Sequence, residues 1–370
     1  MEDVDVAVIG AGAVGLACAA ELAVRGKRVV VLERHRRIAQ ETTSRNSGVI
    51  HAGLYHPRDT LKARLCVEGR RLLYERCERF GIPHRKCGKI LVATSDSERA
   101  RLESIYTQGL ENGAGKLALL DGGEVARLEP QVRAVAGLLS PETGIVDAHA
   151  LADSYRREAE TADAVLALDH TVGALDAVAG GWRVHARTSA GERADVGARF
   201  VVNAAGLDAS RIASLAGLDV DALGYRQHLC KGDYFRLSPR HAGLARRLIY
   251  PVPAGAGLGI HITFDLGGKV LAGPDAEYVE DVRYDVDPDK APLFGAALRR
   301  YLPQVSDDDL APDYAGIRPK LAAPGQAFRD FVIEEAGKHG APGLINLFGI
   351  ESPGLTASPA IARHVSSQIP

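Results

Sequence analysis

Val6 to Glu33 reads VAVIGAGAVGLACAAELAVRGKRVVVLE, and the order of its parts decides the fold. Val6–Ile9 predicts a strand. Gly10, Ala11, Gly12, Ala13, Val14 and Gly15 follow it and open an apolar helix through Leu22, and Val29–Leu32 predicts a second strand ending at Glu33. Gly10 permits the tight turn, Gly12 lets the backbone approach a pyrophosphate, and Gly15 lets the helix pack closely on the sheet. The helix N-terminus presents free N–H groups and a partial positive charge to phosphates. Glu33 is placed to accept hydrogen bonds from ribose hydroxyls, and a carboxylate there repels a 2′-phosphate, so the expected ligand is FAD or NAD and not NADP.

The rest of the chain narrows the class. Its 370 residues are enough for two or three compact domains, with the apolar and charged content of an ordinary globular protein. The net charge is -2 and basic residues come in scattered pairs such as Arg70/Arg71 and Arg156/Arg157, a pattern that excludes a nucleic-acid surface. The densest basic run, Arg34–Arg37, reads as a solvated loop, with Arg34 nearest the expected cofactor. Five cysteines, Cys18, Cys66, Cys77, Cys87 and Cys230, lack CxxC spacing and fit reduced thiols in a cytoplasmic protein, with no disulfide framework and no metal site. The sequence runs from Met1 directly into the first strand, so no signal peptide is expected, and no apolar run reaches membrane-spanning length; any membrane contact is expected to be peripheral.

Changes of pattern mark the domains. After a helix over 61–80, a strand at 89–94, a helix at 98–112 and a strand at 135–139 depart from the α/β alternation. The alternation resumes with a helix over 148–161 and the strand 200–203, which enters Ala204, Ala205 and Gly206. From about Tyr225 to Glu335 the chain is mostly β-like, with one helix near 292–301, and 344–367 returns to strand, turn and helix. These patterns predict a discontinuous nucleotide-binding domain, 1–85, 143–220 and 338–370, into which 86–142 and 221–337 insert as a β-rich cap.

Thr42, Thr43, Ser44, Arg45, Asn46, Ser47, Gly48 and Val49 form a second polar turn after Glu33, suited to wrapping an extended pyrophosphate and approaching a flavin; NAD enzymes do not need it. Here the sequence resembles a known family. NSGVIHAGLY at 46–55, followed by Leu61, Lys62, Ala63, Leu65 and Cys66, is similar to the L-2-hydroxyglutarate dehydrogenase/oxidase branch of the D-amino-acid-oxidase-like FAD oxidoreductases. GKILVA (88–93), VVNAAG (201–206), KGDY (231–234), LIYPVP (248–253), GIHIT (259–263) and AGIRPKL (315–321) extend the resemblance over nearly the whole chain. The turn GIESPGLT (349–356) departs from that branch toward the general flavin-oxidase pattern. The resemblance implies a Rossmann-like α/β FAD-binding domain with an inserted antiparallel β-rich cap, and FAD as cofactor.

Oxidising a secondary alcohol near neutral pH needs a base for the hydroxyl proton as hydride leaves carbon, and histidine suits that task. His51 is the first candidate, because the resemblance places it beside the flavin; it is also a site at which some related proteins attach FAD covalently. His261 is the second, as base or as a donor that orients the substrate. A guanidinium offers a bidentate fork to a carboxylate; Arg318, which the resemblance places near the flavin, is the expected anchor. Lys231, Tyr250 and Thr263 are further candidates for a distal carboxylate or the hydroxyl. Val172 is expected to present its backbone to the adenine, and Ser352, Pro353, Gly354, Leu355 and Thr356 to aim helix N–H groups at the flavin carbonyl. The expected reaction converts a small L-2-hydroxy acid, a dicarboxylate such as L-2-hydroxyglutarate, to the 2-oxo acid, with oxygen or quinone as electron acceptor. Glycerol-3-phosphate oxidation, amine or amino-acid oxidation and a non-enzymatic flavin sensor or assembly factor stay open as alternatives.

Overall fold

A computed structural model describes residues 3–253, 259–326 and 328–370. The elements that build the site are, in chain order, β1 (Val4–Ile9), α1 (Ala13–Val24), β2 (Val29–Leu32), α2 (Leu61–Phe80), β3 (Lys89–Ala93), β4 (Arg193–Asn203), β5 (His228–Leu237), β6 (Leu248–Pro251), β7 (Ile262–Phe264), β8 (Leu310–Lys320), β9 (Leu344–Phe348) and α3 (Gly354–Ser366).

β1 is the centre of the first sheet. It pairs in parallel with β2 on one side and β4 on the other, while β9 joins β4 and the strand Val165–Ala167 joins β2, also in parallel. A parallel sheet needs cover on both faces, and the strands are accordingly almost continuously apolar. Leu16, Cys18 and Leu22 of α1 pack one face together with Leu151 and Ile361; Trp182, Val184, Ile212 and Phe348 fill the other. An antiparallel hairpin, Thr171–Val178 with Gly181–Arg187, extends the sheet beyond β4. Val332–Glu335, inside the range expected for the cap, pairs antiparallel with β9 and so contributes to this first sheet.

The second sheet is the cap. Its strands run in the order Glu277–Val279, β5, Val270–Ala272, β7, β6, β3, Ala136–Ser140 and Ala118–Asp121, with β8 along the other side of β5. All pairings are antiparallel except β6 with β3, a parallel joint between the two inserted segments. β8 is an edge strand, which explains how it carries Pro312 and Pro319 without breaking a ladder on its outer side. Phe235, Ile249, Phe294 and Leu298 form the core on one face of the cap.

Two helix contacts join these sheets to the site. Thr60 caps α2, its hydroxyl accepting the Ala63 N–H at 3.2 Å. Farther along α2, a Cβ on Gly69 would come within 2.5 Å of the Thr356 carbonyl oxygen, so only glycine lets α2 and α3 cross this closely. That crossing brings the first turn of α3 to the segment 49–51. No helix among the described residues is long and apolar enough to cross a membrane. The five cysteines are all unpaired.

Candidate active site

The glycine turn works by excluding side chains. Gly10 has φ +104°, and a Cβ there would sit 2.6 Å from the Ala204 carbonyl oxygen; a Cβ on Gly15 would collide with the Gly10 carbonyl. Both glycines therefore let β1, α1 and β4 close on one another. Gly12 meets only the Thr43 hydroxyl, 3.2 Å from the position of a Cβ, and so keeps the mouth of α1 open to a ligand. The Glu33 carboxylate is buried beside that mouth, accepting the Ala11 N–H at 2.7 Å and the His35 N–H at 2.9 Å. Thr43 Oγ1 accepts the Ala13 N–H at 3.0 Å, with Val14 half-buried one residue on.

The second turn is held from within. Asn46 Nδ2 donates to the Thr43 carbonyl at 2.6 Å while its Oδ1 accepts the Gly48 N–H at 2.7 Å, and Gly48 has φ +63°. Thr42 Oγ1 donates to the Ile317 carbonyl, tying the turn to β8, and Ser47 bonds the Tyr234 hydroxyl. Val49 is buried in a two-residue strand. After β4, the Ala204 N–H donates to the Ile9 carbonyl, and Ala205 leads into Gly206 at φ +58° with open space around it. Val172 is buried at the hairpin edge of the sheet, its carbonyl accepting Arg211 Nη1 at 3.3 Å. Arg34 is engaged by Asp208 at 2.6 Å and Glu41 at 2.9 Å. A glycine-lined helix N-terminus, an adjacent buried carboxylate that accepts hydrogen bonds and a second hydroxyl-rich turn are the polar groups an extended FAD requires.

Next to this cradle lies His51. Its backbone N–H donates to Thr356 Oγ1 at 3.0 Å, Thr356 Oγ1 donates on to the Val49 carbonyl, and the Ser352 hydroxyl lies 3.2 Å from the ring nitrogen His51 Nε2. Pro353 precedes Gly354 and Leu355 without a side-chain cap, so no side chain caps the N-terminus of α3 at this point. Burial and the neighbouring Lys89, His56 and His261 hold the His51 pKa well below 6.5, which keeps the imidazole neutral and able to accept a proton.

The cap contributes one face of its sheet. Ile249 sits opposite Ile262, which sets Tyr250 alongside His261; their rings stack at 3.6 Å and 10°. Lys89 on β3 is fully buried, its ammonium 4.6 Å from the rings of both Tyr55 and Tyr250 and 3.4 Å from the Tyr55 hydroxyl. Burial pulls its pKa down to about 7. Thr263 Oγ1 is buried with no hydrogen-bond partner among the described residues. Arg318 on β8 lies across Gly232, with Nη2 donating to the Asp275 carbonyl at 2.6 Å and the Lys231 carbonyl at 3.2 Å, and Nε to the Cys230 carbonyl at 3.4 Å.

Lys231 is a correction to the sequence reading. Side chains alternate along a strand, and Arg318 pairs with Cys230, so Lys231 points to the opposite face. There its ammonium meets Asp233 at 3.1 Å and the Asp285 carbonyl, beside Lys290, which bonds Asp233, Asp275 and Glu277. These ion pairs lie on the face of β5 turned away from Arg318.

Two groupings escape sequence reasoning. Glu351 is buried between Lys62 at 2.9 Å and Lys320 at 2.8 Å, which lower its pKa against the cost of burial and anchor the turn before Ser352. Glu41 joins Arg34, His35 and the Tyr284 hydroxyl, while the Arg45 guanidinium stacks 3.8 Å from the Tyr284 ring, so the cap segment at 284 is pinned to the second turn. Neither has local spacing that marks it. Lys89 did have a signal: a lysine inside the otherwise apolar strand KILVA.

A dinucleotide cradle opening onto a neutral histidine and a polar cap face defines a flavin-dependent oxidoreductase class. The family model for FAD-dependent oxidoreductases of the DAO type matches residues 5–368, and the chain belongs to this family. Among curated relatives, a mitochondrial L-2-hydroxyglutarate dehydrogenase of Arabidopsis thaliana is 40% identical over 99% of this chain and 83% of its own length. An L-2-hydroxyglutarate dehydrogenase of Salmonella houtenae is 29% identical over 99% and 93%. Among solved structures, dithionite-reduced L-alpha-glycerophosphate oxidase from Mycoplasma pneumoniae with FAD bound superposes with a TM-score of 0.89 at 28% identity, covering 100% of this chain and 95% of that one. The protein is an FAD-dependent enzyme.

Proposed function

We propose that this enzyme oxidises a small L-2-hydroxy acid, a dicarboxylate of the L-2-hydroxyglutarate kind, to the corresponding 2-oxo acid. The observation that carries the reading is His51, a histidine kept neutral between the first turn of α3 and the polar face of the cap. His51 Nε2 takes the hydroxyl proton, the substrate hydroxyl replacing Ser352 Oγ against it. Arg318 offers its Nη1 edge to the substrate carboxylate while three backbone carbonyls fix its other nitrogens. His261, clamped by its stack on Tyr250, and Thr263 orient the hydroxyl from the cap side. Bound FAD would supply the acceptor for the hydride that leaves the hydroxyl-bearing carbon. Glu33, Gly12, Thr43, Asn46 and the 204–206 and 352–356 turns hold that cofactor. Among the described residues, 3–85, 143–220 and 332–370 are assigned to FAD holding, the last bound supported by the pairing of Val332–Glu335, and 86–142 and the described part of 221–331 to the cap.

The dicarboxylate reading is supported by the two relatives above, at 40% and 29% identity, both named as L-2-hydroxyglutarate dehydrogenases. The similarity to glycerophosphate oxidase supports a second reading, glycerol-3-phosphate oxidation. Anaerobic titration of the yellow protein separates them: bleaching by L-2-hydroxyglutarate, and not by its D-enantiomer or by glycerol-3-phosphate, is the expected result. Bleaching by glycerol-3-phosphate alone replaces the first reading with the second. Reoxidation of the bleached protein by air or by a soluble quinone then distinguishes the two acceptors, and sedimentation with vesicles tests peripheral membrane contact.

A further inference from the structure

Lys89 is the buried cation that the chemistry above leaves without a counter-ion. Along β3, Ile90 and Val92 enter the core with Phe235 and Phe294, so Lys89 and Leu91 point to the other face, where Leu91 packs with Leu248 and Tyr250. The aliphatic stem is wholly enclosed, and the ammonium lies between the rings of Tyr55 and Tyr250, with the Tyr55 hydroxyl as its hydrogen-bond acceptor. No described carboxylate pairs with it, whereas Lys231, equally buried on the same sheet, is matched by Asp233. An ammonium buried without an anion is costly, and two ring faces offset only part of that cost. The same face carries His261, stacked on Tyr250, and the Thr263 hydroxyl, which has no hydrogen-bond partner among the described residues.

We infer that Lys89 is a specificity-determining residue, its ammonium receiving the distal carboxylate of the dicarboxylate substrate while Arg318 holds the carboxylate next to the reacting carbon. This rests on the proposed dicarboxylate reading. It accounts for a lysine where an apolar residue would pack, and selects against substrates with an uncharged end, which would leave the cation unpaired.

Proton linkage supplies a readout independent of turnover. Lys89, with its pKa at about 7, is largely neutral at pH 8, and an arriving carboxylate restores its proton. Of the groups that face it, burial pushes Tyr55 and Tyr250 up and the Cys66 thiol up to about 12, while His51 is held well below 6.5; none of these titrates near pH 8. His261 is the remaining neighbour, and the variant His261→Asn separates its contribution.

The experiment uses oxidised holoenzyme and two probes, 2-oxoglutarate and 2-oxovalerate, the same carbon chain without the second carboxylate, followed by the flavin absorbance change and by calorimetry in buffers of different ionisation enthalpy. The wild type is expected to prefer 2-oxoglutarate by about a hundredfold, the scale of a buried charge pair, and to take up close to one proton on binding it at pH 8, in His261→Asn as well. Lys89→Met is expected to bring the two probes near parity with 2-oxovalerate affinity unchanged, which also reports an intact fold. A variant that keeps the preference, one that loses both probes alike, or a wild type that prefers 2-oxoglutarate without proton uptake overturns the assignment of Lys89. A wild type with no preference at all overturns the dicarboxylate reading instead.

Discussion

Around the glycine turn of the first sheet the recognising groups are backbone atoms, and the residues that matter most are those with no side chain; across the cap sheet the recognising groups are side-chain tips delivered by strands far apart in sequence. The first region is set largely within some thirty residues, Val6 to Glu33, where a Cβ on Gly10 or Gly15 would strike a backbone carbonyl oxygen. The proposed second face draws Lys89, Tyr250 and Arg318 from three strands and His261 from the residue before a fourth, and what counts is which face each turns inward. A nucleotide cradle is thus specified by local sterics, and a substrate face by alternation and register.

Mutations can strain that contrast at either end. The largest effect is expected from Gly15→Val: the added side chain has no room against the Gly10 carbonyl, a penalty of more than about 3 kcal/mol, and the purified protein should carry little or no flavin by absorbance. Full flavin content would break the claim that sterics set the cradle. His51→Ala should leave FAD bound yet slow anaerobic flavin reduction by roughly 10² to 10⁴-fold in stopped flow. Unchanged reduction would remove the base from this position. In the wild type, because the His51 pKa is lowered, the proton-accepting form persists as pH falls and is lost only below 6.5. A pH profile of the reductive rate should therefore place its acid limb under that value, and a limb above it would contradict the assigned environment.

The two faces of the cap give smaller, sharper tests. Lys231→Met breaks a buried ion pair and should cost about 3 kcal/mol of stability in denaturant titration while leaving the KM for substrate unchanged. A raised KM at unchanged stability would return Lys231 to the substrate face. Tyr284→Phe removes only the hydroxyl that reaches Glu41 at 2.5 Å and should cost about 1 kcal/mol, with no change in the rate of flavin reduction.

Legibility follows the same division. The strand Val29–Leu32 and the helices 61–80 and 148–161 were readable to the residue, because periodicity and caps are local signals. β8 was not delimited: Pro312 and Pro319 argue against a strand unless its edge position is known, and that strand carries Arg318. Lys231 and Lys89 make the point most directly. Both are buried lysines in β-strands, and the sequence singled out the first. The pairing of Cys230 with Arg318 shows that Lys231 turns away, and the packing of Ile90 and Val92 on the other face together with the ring geometry shows that Lys89 turns in. Tyr284 and Glu41, 243 positions apart, meet through tertiary packing that no window of sequence contains.

The bond from the His51 N–H to the Thr356 hydroxyl joins residues 305 positions apart. During synthesis the glycine turn, both of its strands and His51 itself leave the ribosome long before the helix that positions the histidine exists. A nascent chain can therefore shape its dinucleotide cradle early, but it acquires an oriented base only when α3 docks across Gly69. Because the 352–356 turn belongs to the same helix start, the last element of the polypeptide completes both the cofactor site and the setting of the base.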